Sequence, residues 1–372
     1  MKLPYDPGDG LKFWEEIRKI PGYPQDEFMP IQQMIFESDA LYKIPEVLRS
    51  VGANPARALV LVMDQTTMRR GKEDLKHLIT VQLQKAGWHP EAAIMDPDET
   101  GQVHTDMPHI EKVKSVLKPG CAVLSVGSGV VTDIAKHACF LFEQETGERP
   151  PYVVFQTANS VSAFTSNMAP TFVEGVKRTL ASRYPDALIC DLETLRDAPR
   201  EMTVAGVGDM LAPFVSLPDW YLANALGLDP LYTELPRQLV GPLDVIFLSE
   251  AENIRQGTPE GMGVLAKVIA LGGLAMSLSH ATTPMSGFEH VMSHVLDLQA
   301  EMANAPLAPH GTQVALATLI SVEVYRHFLD EFDPRELDLD RCYPGEEAME
   351  QQILENYRAI DPSGKAGAEC WS

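Results

Sequence analysis

Asp209, His290, His294 and His310 form the set of side chains in this sequence suited to holding a divalent cation. They sit in three short polar islands within apolar, helix-like sequence: Gly206-Val207-Gly208-Asp209, the stretch from Ser286 to His294, and Pro309-His310-Gly311. His290 and His294 are four residues apart, hence on one face of a helix, whereas Asp209 and His310 come from elsewhere in the chain. One carboxylate with two or three imidazoles suits Zn²⁺, Fe²⁺ or Ni²⁺, and three protein ligands leave a position open to a substrate oxygen. Such a cation polarises a carbonyl, or lowers the pKa of an alcohol so that its alkoxide can release hydride. The spacing alone does not say which two imidazoles bind, and helical histidines are commonly structural.

A second constellation lies upstream. Val126-Gly127-Ser128-Gly129-Val130-Val131-Thr132-Asp133 follows an apolar run and opens an amphipathic one, so it reads as a strand-to-helix turn. Glycines there let the backbone approach a pyrophosphate, and the helix N-terminus supplies unpaired N–H groups. The turn is neither GxGxxG nor a P-loop, and a purely structural turn is the competing reading. Asp64, at the end of an earlier apolar run, is placed to accept hydrogen bonds from ribose hydroxyls. The polar loop Gln156-Thr157-Ala158-Asn159-Ser160 offers further hydroxyls to a nucleotide lying across the strand ends.

These residues need a scaffold, and the pattern around them supplies one. Apolar runs at Ala58–Met63, Glu91–Met95, Cys121–Val126, Pro151–Phe155 and Ala187–Cys190 read as strands. Helical periodicity predicts helices over Asp74–Ala86, near His109–Leu117 and over Val130–Phe142. Continuous apolar strands separated by helices imply a mainly parallel sheet covered on both faces. After Ala198-Pro199 the chain turns to Leu, Ala and Met at helical spacing, with no strand expected. We therefore expect an α/β dinucleotide-binding domain over residues 1–197 and an all-α metal- and substrate-binding domain over 198–372. Residues Pro362–Ser372 read as a mobile tail.

Composition narrows the class. With 372 residues, 45% of them hydrophobic and 22% charged, the chain can bury two ordinary cores. A net charge of −22 argues against nucleic acid or an anionic membrane as partner, since both need clustered Lys and Arg. The five cysteines are scattered without CxxC spacing, which suits reduced thiols in the cytoplasm. The N-terminal residues lack a signal-peptide core. The longest apolar stretch, Gly263 to Ser279, contains Lys267 and three glycines and reads as a core helix.

The sequence resembles the sn-glycerol-1-phosphate dehydrogenase branch of the iron-containing alcohol dehydrogenase, glycerol dehydrogenase and dehydroquinate synthase superfamily. The matching segments run in order through Val126–Lys136, Thr157–Ser160, Gly175–Lys177, Pro185–Asp191, Ala198-Pro199, Ala205–Ala212, Asp219-Trp220, Ser286–His294 and His310-Gly311. The resemblance implies an N-terminal Rossmann-like domain and an all-α C-terminal domain, with nicotinamide and metal in the cleft between them. It implies Asp209, His290 and His310 as metal ligands and His294 as a substrate-facing hydrogen-bond or proton-relay group. Gly127, Ser128 and Gly129 would cradle the pyrophosphate, with Thr157, Ser160 and Ser166 contacting NAD(H) or NADP(H); Asp64, Val130 and Val131 complete the expected coenzyme-binding set. Zinc is the metal expected, with nickel or iron in relatives.

The sequence departs from the family pattern in places. Ser162-Ala163 stands where relatives carry Asp-Gly, which puts Ser162 at the substrate-facing catalytic position, and Pro213 replaces a lysine. Both changes count against glycerol 1-phosphate and dihydroxyacetone phosphate as the substrate pair; Lys177 is left as a candidate anion contact. The expectation is thus a metal-dependent NAD(P)-linked oxidoreductase of the EC 1.1.1 type, acting on a small polyol, its phosphate or a related aldehyde. A cyclase that uses NAD transiently and a catalytically silent family member are the alternatives. A small-molecule substrate and a homo-oligomer, dimeric or larger, complete the expectation.

Overall fold

The computed structural model describes residues 3–26, 31–173, 176–342, 344–359 and 361–371, so Gly175 lies outside the described residues. Eight strands longer than two residues are present among the described residues. They are β1 (Gln33–Glu37), β2 (Leu59–Asp64), β3 (Pro90–Met95), β4 (Ala122–Gly127), β5 (Tyr152–Gln156), β6 (Met168–Val173), β7 (Val176–Ala181) and β8 (Ala187–Asp191). Six of them make one sheet in the order β1-β8-β5-β4-β2-β3, with every neighbouring pair parallel. The fold is α/β in this half, as the apolar runs imply.

Alternation along each strand explains why those runs are unbroken. Val60, Val62, Val123, Val154 and Leu188 point to one face of the sheet and join one buried cluster. Leu59, Leu61, Leu124, Val153, Phe155 and Ile189 point to the other face and join a second cluster. Both faces are covered, so neither parity of position needs to be polar.

Helices α1 (Leu75–Lys85), α2 (Met107–Val116) and α3 (Gly129–Thr146) connect successive strands. Asp74 and Asp106 cap the first two by accepting from the backbone N–H of His77 and His109, at 2.8 and 2.9 Å. From β2 the chain moves outward to β3, then returns to place β4 on the other side of β2. A crevice opens at the C-terminal ends of two strands where the order reverses in this way. Asp64 ends β2, and Ser128 follows β4 at that point.

Beyond Asp191 the described residues contain helices and no strand. Four of these helices position the candidate site: α4 (Arg200–Asp209), α5 (Pro259–Leu278), α6 (Phe288–Met302) and α7 (His310–Glu331). Although α5 is long and apolar enough to cross a membrane, 89% of its apolar window is buried inside the fold. Its Leu265, Val268, Ile269 and Leu274 share the cluster on one face of the sheet, which ties the helices to the strands.

Three features differ from the pattern-based expectation. Strand β1, Gln-Met-Ile-Phe-Glu, forms an edge of the sheet and is only partly buried, so its sequence carries no unbroken apolar run. The antiparallel pair β6–β7 includes Pro170, a residue that weakens any strand reading. The expected tail is helical over Lys365–Trp371, with Ala366 and Gly367 buried, because this segment packs against the helix Glu346–Arg358.

Candidate active site

Two glycines bring α4 and α7 into backbone contact. A Cβ on Gly208 would lie 2.1 Å from the carbonyl oxygen of Gly311, and one on Gly311 would lie 1.8 Å from that of Ala205. No side chain fits there, so the helices touch directly. Asp209 and His310 each adjoin one of these glycines and are carried to the same spot. His290 arrives from the first turn of α6.

The three side chains converge. His290 Nε2 lies 3.8 Å from Asp209 Oδ1, and His310 Nε2 lies 3.7 Å from the same oxygen. One ligand atom from each residue falls within 4.8 Å of the others. Those gaps are too long for hydrogen bonds. They lie close to the ~3.4 Å that separates two ligand atoms held about 2.1 Å from one tetrahedral ion. Asp209 Oδ2 is held separately, accepting from the backbone N–H of Ser162 at 2.8 Å.

The surroundings suit a cation. Burial pushes the Asp209 carboxyl above its usual range, against the opposing pull of His290 and the Ser162 hydrogen bonds. Burial likewise drives His310 well below the ordinary imidazole range, helped by Lys177 and the other two rings. His294 is pushed down to about 4 by burial and then by Lys177 and His290, so at neutral pH it is uncharged. A carboxylate beside two imidazoles in a largely buried site has a donor set that fits Zn²⁺ or a similar ion. His294 stands one turn from His290, its ring centroid 6.4 Å from that of His290 and 6.3 Å from that of His310.

The site opens on a cleft of about 660 Å³. Its walls include Asp209, His290, His294 and His310, and also Asp64, Ser128, Gly129, Val130, Ser160, Ser162 and Ser166. The amide N–H groups of the first turn of α3 open here, since an α-helix leaves them without intrahelical partners. Gly127, Val131 and Thr157 lie behind this wall. Val131 is in the core, and a Cβ on Gly127 would fall 2.4 Å from its Cβ. The Thr157 N–H donates to the Gly127 carbonyl at 3.1 Å, joining the β4 and β5 loops. Pro213 opens the helix Pro213–Ala225 away from the cleft, whereas Ser162 faces it.

Several residues that spacing did not single out support this site. Glu289 is fully buried, and its Oε1 accepts from the Gly287 N–H and sits 2.8 Å from His290 Nδ1. Ser293, Asp297 and Gln313 are buried beside His310. Glu289, Ser293 and Asp297 recur every four residues on α6, a polar stripe parallel to the histidine pair that the sequence does carry. Lys177 enters from β7 and pairs with Asp297 at 2.7 Å. Asp64 is not a bare carboxylate: Lys76 Nζ lies 2.7 Å from Oδ1, and Thr66 donates to both oxygens at 3.1 Å.

A family model described as iron-containing alcohol dehydrogenase matches residues 35–199. Glycerol-1-phosphate dehydrogenase (NAD(P)+) of Bacillus subtilis (strain 168) is 32% identical over 282 residues, 74% of this chain and 69% of that protein. The protein of the same name from Geobacillus stearothermophilus is 28% identical over 319 residues, 84% of this chain and 76% of its own length. Among solved structures, a probable glycerol dehydrogenase from Sinorhizobium meliloti 1021 superposes with a TM-score of 0.57 at 21% identity, covering 82% of this chain and 78% of that one. An iron-containing alcohol dehydrogenase from Thermotoga maritima gives a TM-score of 0.56 at 17% identity, covering 78% of this chain and 76% of that one.

Proposed function

The chain belongs to the iron-containing alcohol dehydrogenase family, on its glycerol-1-phosphate dehydrogenase branch, and from that premise we propose that it is a metal-dependent, NAD(P)-linked oxidoreductase acting on a small polyol phosphate. The observation that carries the reading is the convergence of Asp209, His290 and His310 on the wall of a cleft that also receives the N-terminus of α3. Bound metal and nicotinamide supply, respectively, polarisation of the substrate C–O group and a hydride acceptor or donor. The protein supplies position and electrostatics.

Asp209, His290 and His310 are the residues we assign to the metal, and zinc is the ion we expect there, one that their donor set accommodates. Ser128, Gly129 and Val130 present backbone N–H groups to the coenzyme pyrophosphate, with Asp64, Ser160 and Ser166 along its length. Gly127, Val131 and Thr157 hold that turn in shape from behind. His294, uncharged and lining the cleft, exchanges a hydrogen bond or proton with the substrate hydroxyl, and Ser162 bounds the same space. Lys177 offers the cleft an ammonium for the phosphate end.

The division into a coenzyme domain, residues 1–197, and a metal and substrate domain, 198–372, belongs to the same proposal. So do a homo-oligomeric state, supported by exposed Leu316, Leu319 and Leu329 on α7, and a cytoplasmic location, supported by cysteines that are free.

The test is metal analysis of the purified protein, then NADH and NADPH absorbance with phosphorylated and unphosphorylated polyols and their carbonyl counterparts. Steady coenzyme turnover with a phosphorylated substrate, lost in His310→Ala while coenzyme still binds, is the expected result. No bound metal and no net coenzyme turnover with any of them would overturn the reading.

A further inference from the structure

We propose that Lys177, Asp297, Gln313 and Ser293 form a one-way hydrogen-bond relay that fixes the tautomer of His310 and so makes its Nε2 the ligand atom. The proposal rests on the metal reading given above.

Four contacts make the relay. Lys177 Nζ donates to Asp297 Oδ2 at 2.7 Å, and Gln313 Nε2 donates to Asp297 Oδ1 at 3.1 Å. Ser293 Oγ lies 2.6 Å from Gln313 Oε1 and 3.1 Å from His310 Nδ1. Ser293, Asp297 and Gln313 are 0%, 2% and 7% exposed, so water competes little for these bonds.

The direction of every bond follows from the charged end. An ammonium only donates and a carboxylate only accepts. Asp297 therefore requires Gln313 to present its NH₂ group, which turns the amide carbonyl towards Ser293. A carbonyl oxygen only accepts, so the Ser293 hydroxyl gives its single proton to Gln313. Only lone pairs of Ser293 remain for His310, and Nδ1 must carry the ring proton. A neutral imidazole has one N–H, which leaves Nε2 with its lone pair facing Asp209. Reversing one link would set two donors or two acceptors against each other.

His290 reaches the same state differently, through one carboxylate on Nδ1. For His310 the anion stands two hydrogen-bonded groups away, and the intervening links cross between α6 and α7. Gln313, Ser293 and Asp297 are thus positioning residues acting through the ring.

The experiment combines a zinc competition titration against a chromophoric chelator with ¹⁵N NMR of the His310 ring in metal-free protein. Wild type should show His310 protonated at Nδ1. Gln313→Leu and Ser293→Ala should each bind zinc about 10–100-fold more weakly and shift the ring towards Nε2–H, with coenzyme affinity unchanged. Ser293→Thr, which keeps the hydroxyl, should restore both readouts. Tight zinc binding by wild type with unchanged affinity in both variants would overturn the relay, as would an Nε2–H signal in wild type. A wild-type protein that takes up no zinc would sink the metal reading instead, and the ring spectrum alone would then decide the relay.

Discussion

His290 Nδ1 lies 2.8 Å from Oε1 of Glu289, its immediate neighbour in sequence. Adjacent residues in mid-helix do not face each other; here the Glu289 carboxylate folds back to accept from the Gly287 N–H ahead of α6, and the same oxygen meets the ring. The buried carboxylate holds the ring so that Nε2 meets Asp209.

Glu289→Gln should weaken zinc binding by about 10–100-fold, because an amide holds the ring less firmly and removes the charge that raises ligand basicity. Chelator competition measures the loss, and unchanged affinity would show that Glu289 serves only the helix end.

Gly208→Ala forces a methyl group against the backbone of α7. Overpacking of this kind should cost about 3 kcal/mol in denaturant unfolding and separate Asp209 from His310, so metal is lost with stability. An alanine variant with native metal content would mean that the helices can part without disturbing the ligands.

Lys76 neutralises Asp64 at the end of β2. With the partner removed in Lys76→Met, the bare carboxylate should repel a 2′-phosphate and raise the preference for NAD over NADP about tenfold in kcat/KM, a change of about 1.4 kcal/mol. Asp64→Asn should move the ratio the other way. Parallel changes for both coenzymes would place the pair outside coenzyme choice.

His294 is held near 4 in the folded protein, below the ~6.5 of an unfolded chain. The unfolded state therefore takes up the proton first as pH falls. Stability linked to this ring is present above ~6.5 and is lost through the window down to about 4. In metal-stripped protein, His294→Gln should lose less stability than wild type between pH 7 and pH 5, read from urea midpoints. Equal losses would mean that other groups govern this window.

The sheet was readable because β2, β4, β5 and β8 are buried on both faces and so are written as unbroken apolar runs. Strand β1 was not, since an edge strand with Gln33 and Glu37 at its ends looks like loop. At the site, Asp209, His290 and His310 were named through motif resemblance, and the glycines beside two of them turned out to be the reason they meet. Their supporting partners were harder to find. Ser293, Asp297 and Gln313 are ordinary polar residues until two helices are docked; the four-residue recurrence on α6 marks Ser293 and Asp297 beforehand, and Gln313, on α7, stands outside it. The pairing of Asp64 is not legible either, because Lys76 is brought back to it by α1, a contact that local sequence does not display.

Two of the three ligand-bearing helices meet main chain to main chain, while Ser293 of the third reaches His310 and Gln313 by its side chain. The pocket thus has a pair of welded jaws and a third seated on side chains. Discrimination between ions of different radius would then be set by how far α6 can travel, and exchanging one metal for another would call for repacking along that helix.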